Sequence, residues 1–279
     1  MSKTKKARLG QITMEYTLSG DSNQSVLFFV HSEGLSLEEF SEQHDFFKGR
    51  YRVLSASLRG HGNTLSDQEL GETDYDLALM ADDLIKLLNF LDIKSAHYIG
   101  HGLGGILGFE LLKLHEKRLK SLITFGSYAY RKNTSLTKAL RKFTYGMLNP
   151  KGISNLRSSR GLTPEAKIRI QKLISPTAKE CFINLNNYLT HYDYLSTIKQ
   201  SKIPAMILRG SFDQKHPKSI RKTVEAFQSR GNFLLVHLNN AGFFINIDQA
   251  ERFNQELEKG LAILSANQVS HPEARAVLV

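Results

Sequence analysis

The chain has 279 residues and a formal net charge of +10, with 41% hydrophobic and 23% charged residues. These values are ordinary for a globular protein and leave room for one large core, with or without an inserted subdomain. The longest apolar runs, such as VLFFV from Val26, are far shorter than the roughly 20 residues that a transmembrane helix needs. The basic start leads into no apolar signal segment, and the single cysteine, Cys181, excludes an internal disulfide. We therefore expect a cytoplasmic protein.

Short apolar runs alternate with helical patterns over most of the chain. Residues 1–127 contain the strand-like runs SVLFFVH, YRVLSASL, SAHYIG and LKSLITFGS, separated by amphipathic runs such as DYDLALMADDLIKLLNFL. Residues 193–279 continue with IPAMILRG, the helical PKSIRKTVEAFQS, NFLLVHLNN and a final helical run. Such alternation is typical of βαβ units. It predicts an α/β core with a mostly parallel sheet and helices on both faces.

Residues 128–192 interrupt this alternation and carry the excess charge. They contain twelve Lys and Arg residues but only two acids, Glu165 and Glu180, so they account for the whole net charge. Strand-like runs are missing, and helical patterns replace them. The segment is therefore predicted to be a basic helical lid, inserted into the core.

One lid run, SLTKALRKFTYGML, has a clear helical period. Four apolar residues fall on one face of the predicted helix: Leu136, Leu140, Phe143 and Met147. The basic residues Lys138, Arg141 and Lys142 fall on the other side. The pattern predicts an amphipathic helix.

In a parallel sheet, ligands bind outside the carboxyl ends of the strands, so the loops that leave those ends are candidate sites. Five such loops are recognisable: His31–Gly34, Arg59–Gly62, Gly100–Gly105, Gly210–Pro217 and Asn239–Phe244. The third loop joins a strand to a helix, and its glycines fit two different motifs.

The first motif is the dinucleotide fingerprint G-x-G-x-x-G, matched by Gly100, Gly102 and Gly105. There, the start of the helix would face a pyrophosphate. The fingerprint also needs an acidic residue at the end of the next strand, and Thr124-Phe125-Gly126-Ser127 offers none. This match is therefore weak.

The second motif involves all five loops, which together resemble the α/β-hydrolase fold family in its lidded, single-domain branch. Gly100 to Gly104 are similar to the G-x-S-x-G nucleophile elbow, and Asp213 follows a later strand as the family's acid does. Asn-Ala-Gly-Phe-Phe is similar to the family's Asn-Ala-Gly-His-Phe, with Phe243 in place of histidine. His31-Ser32 resembles the His-Gly that begins the oxyanion loop, and Arg59-Gly60-His61-Gly62 resembles the D-x-R-G-x-G turn. The resemblance covers roughly residues 12–264.

The departures from this family decide the functional prediction. Serine hydrolysis needs a hydroxyl nucleophile, an imidazole base and an orienting carboxylate. By resemblance, Gly102 stands in the nucleophile position and Phe243 in the base position, which leaves Asp213 as a vestigial acid. The sequence favours a non-catalytic protein that binds a small molecule or a partner, with His31, Ser32, His101 and Leu103 at the pocket.

Two other interpretations stay open. One is an active hydrolase or lyase-type enzyme of the same fold that uses Ser32, His101 or a group on the substrate. The other is simple loss of activity, in which glycine tolerates the elbow geometry and Phe243 fills vacated space. His216 is expected to form a surface ion pair with Asp213, while His31 and His61 are expected to be structural.

The basic lid suggests which partners to expect. It would attract an anionic or amphipathic small molecule, and it also fits contact with a membrane surface or an acidic protein. No nucleic-acid-binding motif is recognisable. No histidines and acids have the spacing of metal ligands, so neither a metal nor a cofactor is expected. The sequence does not indicate an oligomeric state.

Overall fold

The computed structural model describes residues 3–174 and 177–266, so the part of the predicted core range from 267 onward lies outside the described residues. The strands are β1 (Lys5–Leu9), β2 (Ile12–Ser19), β3 (Val26–Val30), β4 (Arg52–Ala56), β5 (Leu65–Ser66), β6 (Ala96–His101), β7 (Leu119–Phe125), β8 (Tyr130–Lys132), β9 (His191–Asp193), β10 (Ala205–Gly210) and β11 (Phe233–Leu238).

The α-helices of the described residues follow the predicted alternation with these strands. They are α1 (Ser41–Phe47), α2 (Leu77–Phe90), α3 (Leu103–Leu114), α4 (Ser135–Met147), α5 (Pro150–Ser158), α6 (Pro164–Ile174), α7 (Lys179–Leu185), α8 (Leu195–Gln200), α9 (Pro217–Gln228), α10 (Ile245–Asp248) and α11 (Ala250–Ala266). Short 3₁₀ turns cover Leu37–Phe40, Glu72–Tyr75 and Glu116–Arg118. No helix in the described ranges is both long enough and apolar enough to cross a bilayer.

The large sheet has the strand order β1-β2-β4-β3-β6-β7-β10-β11, and β5 pairs with β2 at its edge. Strand β2 is antiparallel to β1, β4 and β5, whereas each neighbouring pair from β4 to β11 is parallel. The predicted α/β class with a mostly parallel sheet is confirmed.

Strand β3 shows why the central strands are continuously apolar. Phe28 and Val30 belong to the hydrophobic cluster on one side of the sheet, and Leu27 and Phe29 belong to the cluster on the other. All five residues of β3 are buried. Because helices cover both faces, every residue of such a strand faces a core, and polar alternation is lost.

The lid segment, residues 128–192, contains α4 to α7 and leaves the core after β7. The prediction that it lacks strands is wrong at both ends. Strands β8 and β9 pair antiparallel, with Tyr130 opposite Asp193. They form where the chain enters and leaves the lid, because the two antiparallel passes lie side by side there. The predicted boundary at residue 192 falls within β9.

Helix α4 is amphipathic as predicted, but its apolar face is directed to solvent. Leu136 is 78% exposed, Leu140 62%, Phe143 64% and Met147 71%. Tyr145, on the opposite side, is buried and lies against the Phe182 ring at a centroid distance of 5.4 Å. The helix therefore packs on the core through its polar and aromatic side.

Candidate functional site

The turn between β6 and α3 is the centre of the site. Strand β6 ends at His101 and α3 begins at Leu103, so the chain reverses at Gly102. Gly102 has φ +52° and ψ −110°, a backbone conformation that side-chain-bearing residues rarely adopt. Its N–H donates to the Phe125 carbonyl at 3.0 Å. As the first residue of a helix, Leu103 has no intrahelical acceptor for its N–H, and it lines the cavity described below.

Ser32 fills the space beside this turn. A Cβ placed on Gly102 would lie 2.1 Å from Ser32 Oγ and 3.2 Å from Phe243 Cζ. Ser32 is buried and lines the cavity. A side chain at residue 102 and the present Ser32 side chain therefore exclude one another.

Phe243 and Asp213 lie together, and a lid arginine joins them. The guanidinium carbon of Arg160 lies 3.3 Å from the centroid of the Phe243 ring, and Arg160 Nη2 is 3.8 Å from Asp213 Oδ1. Burial raises the pKa of Asp213, and the charge of Arg160 opposes that shift. Burial and the nearby Arg157 lower the pKa of Arg160 to about 10, so it stays charged at neutral pH. The buried carboxylate thus has a guanidinium as its partner.

His101 lies beneath the turn and outside the cavity wall. It is fully buried, its Nδ1 is 2.5 Å from Glu39 Oε1, and its ring stacks on Phe125 at 4.4 Å. Its Nε2 has no hydrogen-bond partner in the part of the chain that the structure describes. Glu39 also accepts hydrogen bonds from the Ser32 N–H and from Asn246. His101 and Ser32 are therefore linked through Glu39 and are not hydrogen-bonded to each other.

His31 and His61 support the neighbouring loops. His31 Nε2 accepts from the Leu58 N–H at 2.9 Å, and its Nδ1 lies 2.8 Å from the Ser32 carbonyl oxygen. Burial lowers the pKa of both imidazoles, that of His61 to about 4. His61 Nε2 lies 3.3 Å from the sulfur of the buried Cys181. Of the four predicted pocket residues, Ser32 and Leu103 line the cavity, whereas His31 and His101 lie behind its wall.

A cavity of about 390 Å³ separates the core from the lid. Its walls combine apolar side chains with charged ones. The apolar walls include Leu103, Ile106, Leu140, Leu156 and Leu189. The cationic side chains are Arg131, Arg141, Arg157, Arg160 and Lys215, and Glu33 is the one carboxylate among the described lining residues.

Glu33 joins the lid to the core. Arg141 of α4 donates to both carboxylate oxygens, at 2.8 and 2.9 Å, and Arg157 of α5 donates to Oε2 at 2.9 Å. Arg157 also donates to the Glu33 backbone carbonyl. Burial raises the pKa of Glu33, but the guanidinium groups of Arg141 and Arg157 outweigh burial and hold it below its ordinary value.

Two cations of the cavity have no carboxylate partner in the described part of the chain. Arg131 Nη2 lies 3.2 Å from His216 Nε2, and Arg131 Nε is buried without a hydrogen-bond partner among the described residues. Burial and the charge of Arg131 lower the pKa of His216 to about 4, so His216 is neutral at pH 7. The expected ion pair between His216 and Asp213 is therefore wrong. The second cation, Lys215, has a pKa lowered by burial and by Arg160.

The comparisons with known proteins agree with the observed fold. A family model described as the α/β hydrolase fold matches residues 25–250. The chain is 24% identical over 262 residues to 3-oxoadipate enol-lactonase 2 of Acinetobacter baylyi, covering 88% of this chain and 92% of the relative.

Two solved structures show how far the fold is shared. The enol-lactonase of Burkholderia xenovorans superposes with a TM-score of 0.81 at 20% identity, covering 92% of this chain and all of that one. An esterase of Thermogutta terrifontis superposes with a TM-score of 0.80 at 20% identity, covering 94% of this chain and 99% of the esterase. With the matched family model and the observed strand order, they lead to one conclusion: this chain belongs to the α/β-hydrolase fold family.

Proposed function

We propose that this protein binds a small anionic, amphipathic molecule in the cavity between core and lid, and that it does not carry out serine hydrolysis. The observation that carries the proposal is the composition of the cavity wall. Five cationic side chains surround a space that contains one carboxylate, that of Glu33. Cations grouped around a partly enclosed cavity attract anions, because the surrounding protein screens charge less than water does.

Arg131 and Lys215 are the groups that would hold the negative end of the ligand. Glu33 already neutralises Arg141 and Arg157, and Asp213 faces Arg160. Arg131 and Lys215 have no carboxylate at ion-pair distance within the described residues, and only the more distant Glu33 and Asp213 act on them, so a ligand's carboxylate or phosphate would be their first direct anionic partner. The apolar body of the ligand would lie against the leucine side chains of the same cavity.

Three features argue against turnover. Gly102 offers no nucleophile, and the Ser32 side chain fills the space that one would need. Phe243 offers no base, and the Arg160 guanidinium covers its ring. Among the described residues Ser32 has no hydrogen-bonded histidine to take its proton, since Ser32 and His101 are joined only through Glu39, which accepts from the Ser32 N–H.

The relatives support the choice of an anionic ligand. The Acinetobacter lactonase is named for the enol-lactone of 3-oxoadipate, an organic acid. A site that holds such a molecule can lose its reactive groups and still bind, because binding and bond cleavage rely on different side chains.

The test is a calorimetric titration of the natural protein with decanoate and with decanol, which has the same chain without the charge. We expect saturable binding of decanoate and at least tenfold weaker binding of decanol, since hydrogen bonds to charged groups contribute about 1.5–3 kcal/mol. Arg131→Gln and Lys215→Gln should each weaken decanoate binding, whereas Lys94→Gln, at an exposed site outside the cavity, should leave it unchanged. Equal binding of the two probes, or equal affinity in all variants, would contradict the proposal.

A further inference from the structure

Helix α4 presents an apolar face on the outside of the lid that the described residues leave uncovered. Leu136, Leu140, Phe143 and Met147 recur at i, i+4, i+7 and i+11 and form one line along the helix. Each is more than 60% exposed. A line of four large apolar side chains on an otherwise polar helix is uncommon on a protein surface and marks a contact site.

The chain around this apolar line is mostly basic. The chain contains no Asp or Glu between Glu116 and Glu165. Lys132 precedes the helix, Lys142 lies on it, and Lys151 follows it, all exposed and none paired with a carboxylate in the described residues. Lys179, from α7, donates to the Gly146 carbonyl near the end of α4.

We propose that α4 docks on a bilayer that contains anionic lipids, with the apolar line in the headgroup region and the lysines on lipid phosphates. An amphipathic helix with large apolar residues between lysines is the composition that lies in a membrane interface. Lysines near an anionic bilayer add electrostatic attraction, which decays within a Debye length. A second copy of the chain is a poorer occupant, because it would bring the same cationic surface against itself.

The apolar line also borders the cavity. Leu140 and Leu156 both line the cavity and are 62% and 47% exposed, so the mouth opens beside the docking face. Docking would place that mouth at the lipid surface. This step rests on the proposed function: an anionic amphipathic ligand would then enter directly from the bilayer.

The first test is co-sedimentation with vesicles of phosphatidylcholine alone and of phosphatidylcholine mixed with phosphatidylglycerol. We expect binding to the anionic vesicles that weakens with added salt, and at least tenfold weaker binding to the neutral ones. The triple variant Leu136→Ser, Phe143→Ser, Met147→Ser should lose at least tenfold in vesicle affinity. Phe90→Ser is the matched control, because Phe90 is 54% exposed on α2, and it should bind as the natural protein does.

The second test replaces charge alone. Lys132→Gln with Lys142→Gln should lower anionic-vesicle affinity by about fivefold per lysine, whereas Lys86→Gln with Lys94→Gln should not change it. No binding by the natural protein, or equal loss in the control variants, would overturn the proposal. A dimer in solution that the triple variant dissociates would overturn it in favour of a second copy. Decanoate titration without vesicles reports on the cavity separately, so failure of one proposal does not conceal failure of the other.

Discussion

Helices α9 and α4 are both amphipathic, but α9 directs its apolar face to the core and α4 directs its apolar face to solvent. In α9, Ile220, Ala226 and Phe227 are buried, and Lys218 faces solvent. In α4, the apolar line faces solvent and Tyr145 faces inward. An apolar face next to a core is the usual outcome, because its burial stabilises the fold. Helix α4 departs from that outcome, so another interaction must orient it.

The ion pairs of Glu33 supply that interaction. Arg141 lies on the side of α4 away from the apolar line and reaches both carboxylate oxygens of Glu33. Arg157 of α5 binds the same carboxylate. The core is thus held by apolar burial, whereas the lid adds buried ion pairs to the apolar cluster through which it packs on Leu35 and Phe243. The comparison teaches that α4 directs Arg141 to the core carboxylate of Glu33 and its apolar line outward.

The largest expected effect comes from placing the serine and histidine of the family's hydrolases at the turn. The triple variant is Ser32→Gly, Gly102→Ser, Phe243→His. Its new hydroxyl at residue 102 takes the space that the Ser32 side chain occupies, and residue 243 supplies an imidazole base. We expect hydrolysis of nitrophenyl butyrate on the order of a hundredfold above the natural protein, because a general base contributes about that much or more. The assay is release of nitrophenol.

Its control adds Asp213→Asn to the triple variant, which should remove the gained activity. Substantial ester turnover by the natural protein, lost on Ser32→Ala, would contradict the proposal and favour an active enzyme.

A smaller effect is expected from breaking the contact that orients the lid. Glu33→Gln leaves the guanidinium groups of Arg141 and Arg157 in the site without their carboxylate, and removing one partner of a buried ion pair costs about 3 kcal/mol or more. We expect the free energy of unfolding in urea to fall by about that amount. Glu69→Gln, at an exposed position, should change it little. An unchanged free energy would show that charge does not orient the lid.

The ion pairs of Glu33 with Arg141 and Arg157 also predict that the free energy of unfolding depends on pH. Because the pKa of Glu33 is lowered from its ordinary 4.5, its contribution to stability is complete above that value and is lost as pH falls through the lowered pKa. The difference in unfolding free energy between the natural protein and Glu33→Gln should therefore narrow as the pH falls below 4.5. A difference that stays constant over this range would rule out the carboxylate as its source.

Much of the core and part of the site follow from the sequence. Apolar runs such as that of β3 predict buried parallel strands, and the glycines around Gly102 predict the turn, because few other residues tolerate its backbone. The charged contacts of the site do not follow. Glu39 is 62 positions from His101, and no local pattern connects them.

The orientation of the lid is the other part that the sequence does not reveal. Periodicity places Arg141 opposite the apolar line, but it does not say which side faces the core. That choice depends on Glu33, which precedes Arg141 by 108 positions. Arg160, the partner of Asp213, does not follow from the sequence for the same reason, since the two residues lie far apart in the chain and meet only in the fold.

The effect of Asp213 on ligand binding tests the account most directly. In a hydrolase this carboxylate serves catalysis, whereas in the proposed site it only offsets the charge of Arg160. Titration of the natural protein and Asp213→Asn with decanoate should therefore show about threefold to tenfold tighter binding in the variant, as one negative charge near the cavity is removed. Asp82→Asn, at the surface on α2, should bind as the natural protein does. Unchanged or weaker binding by Asp213→Asn would contradict the claim that this cavity is an anion-binding site.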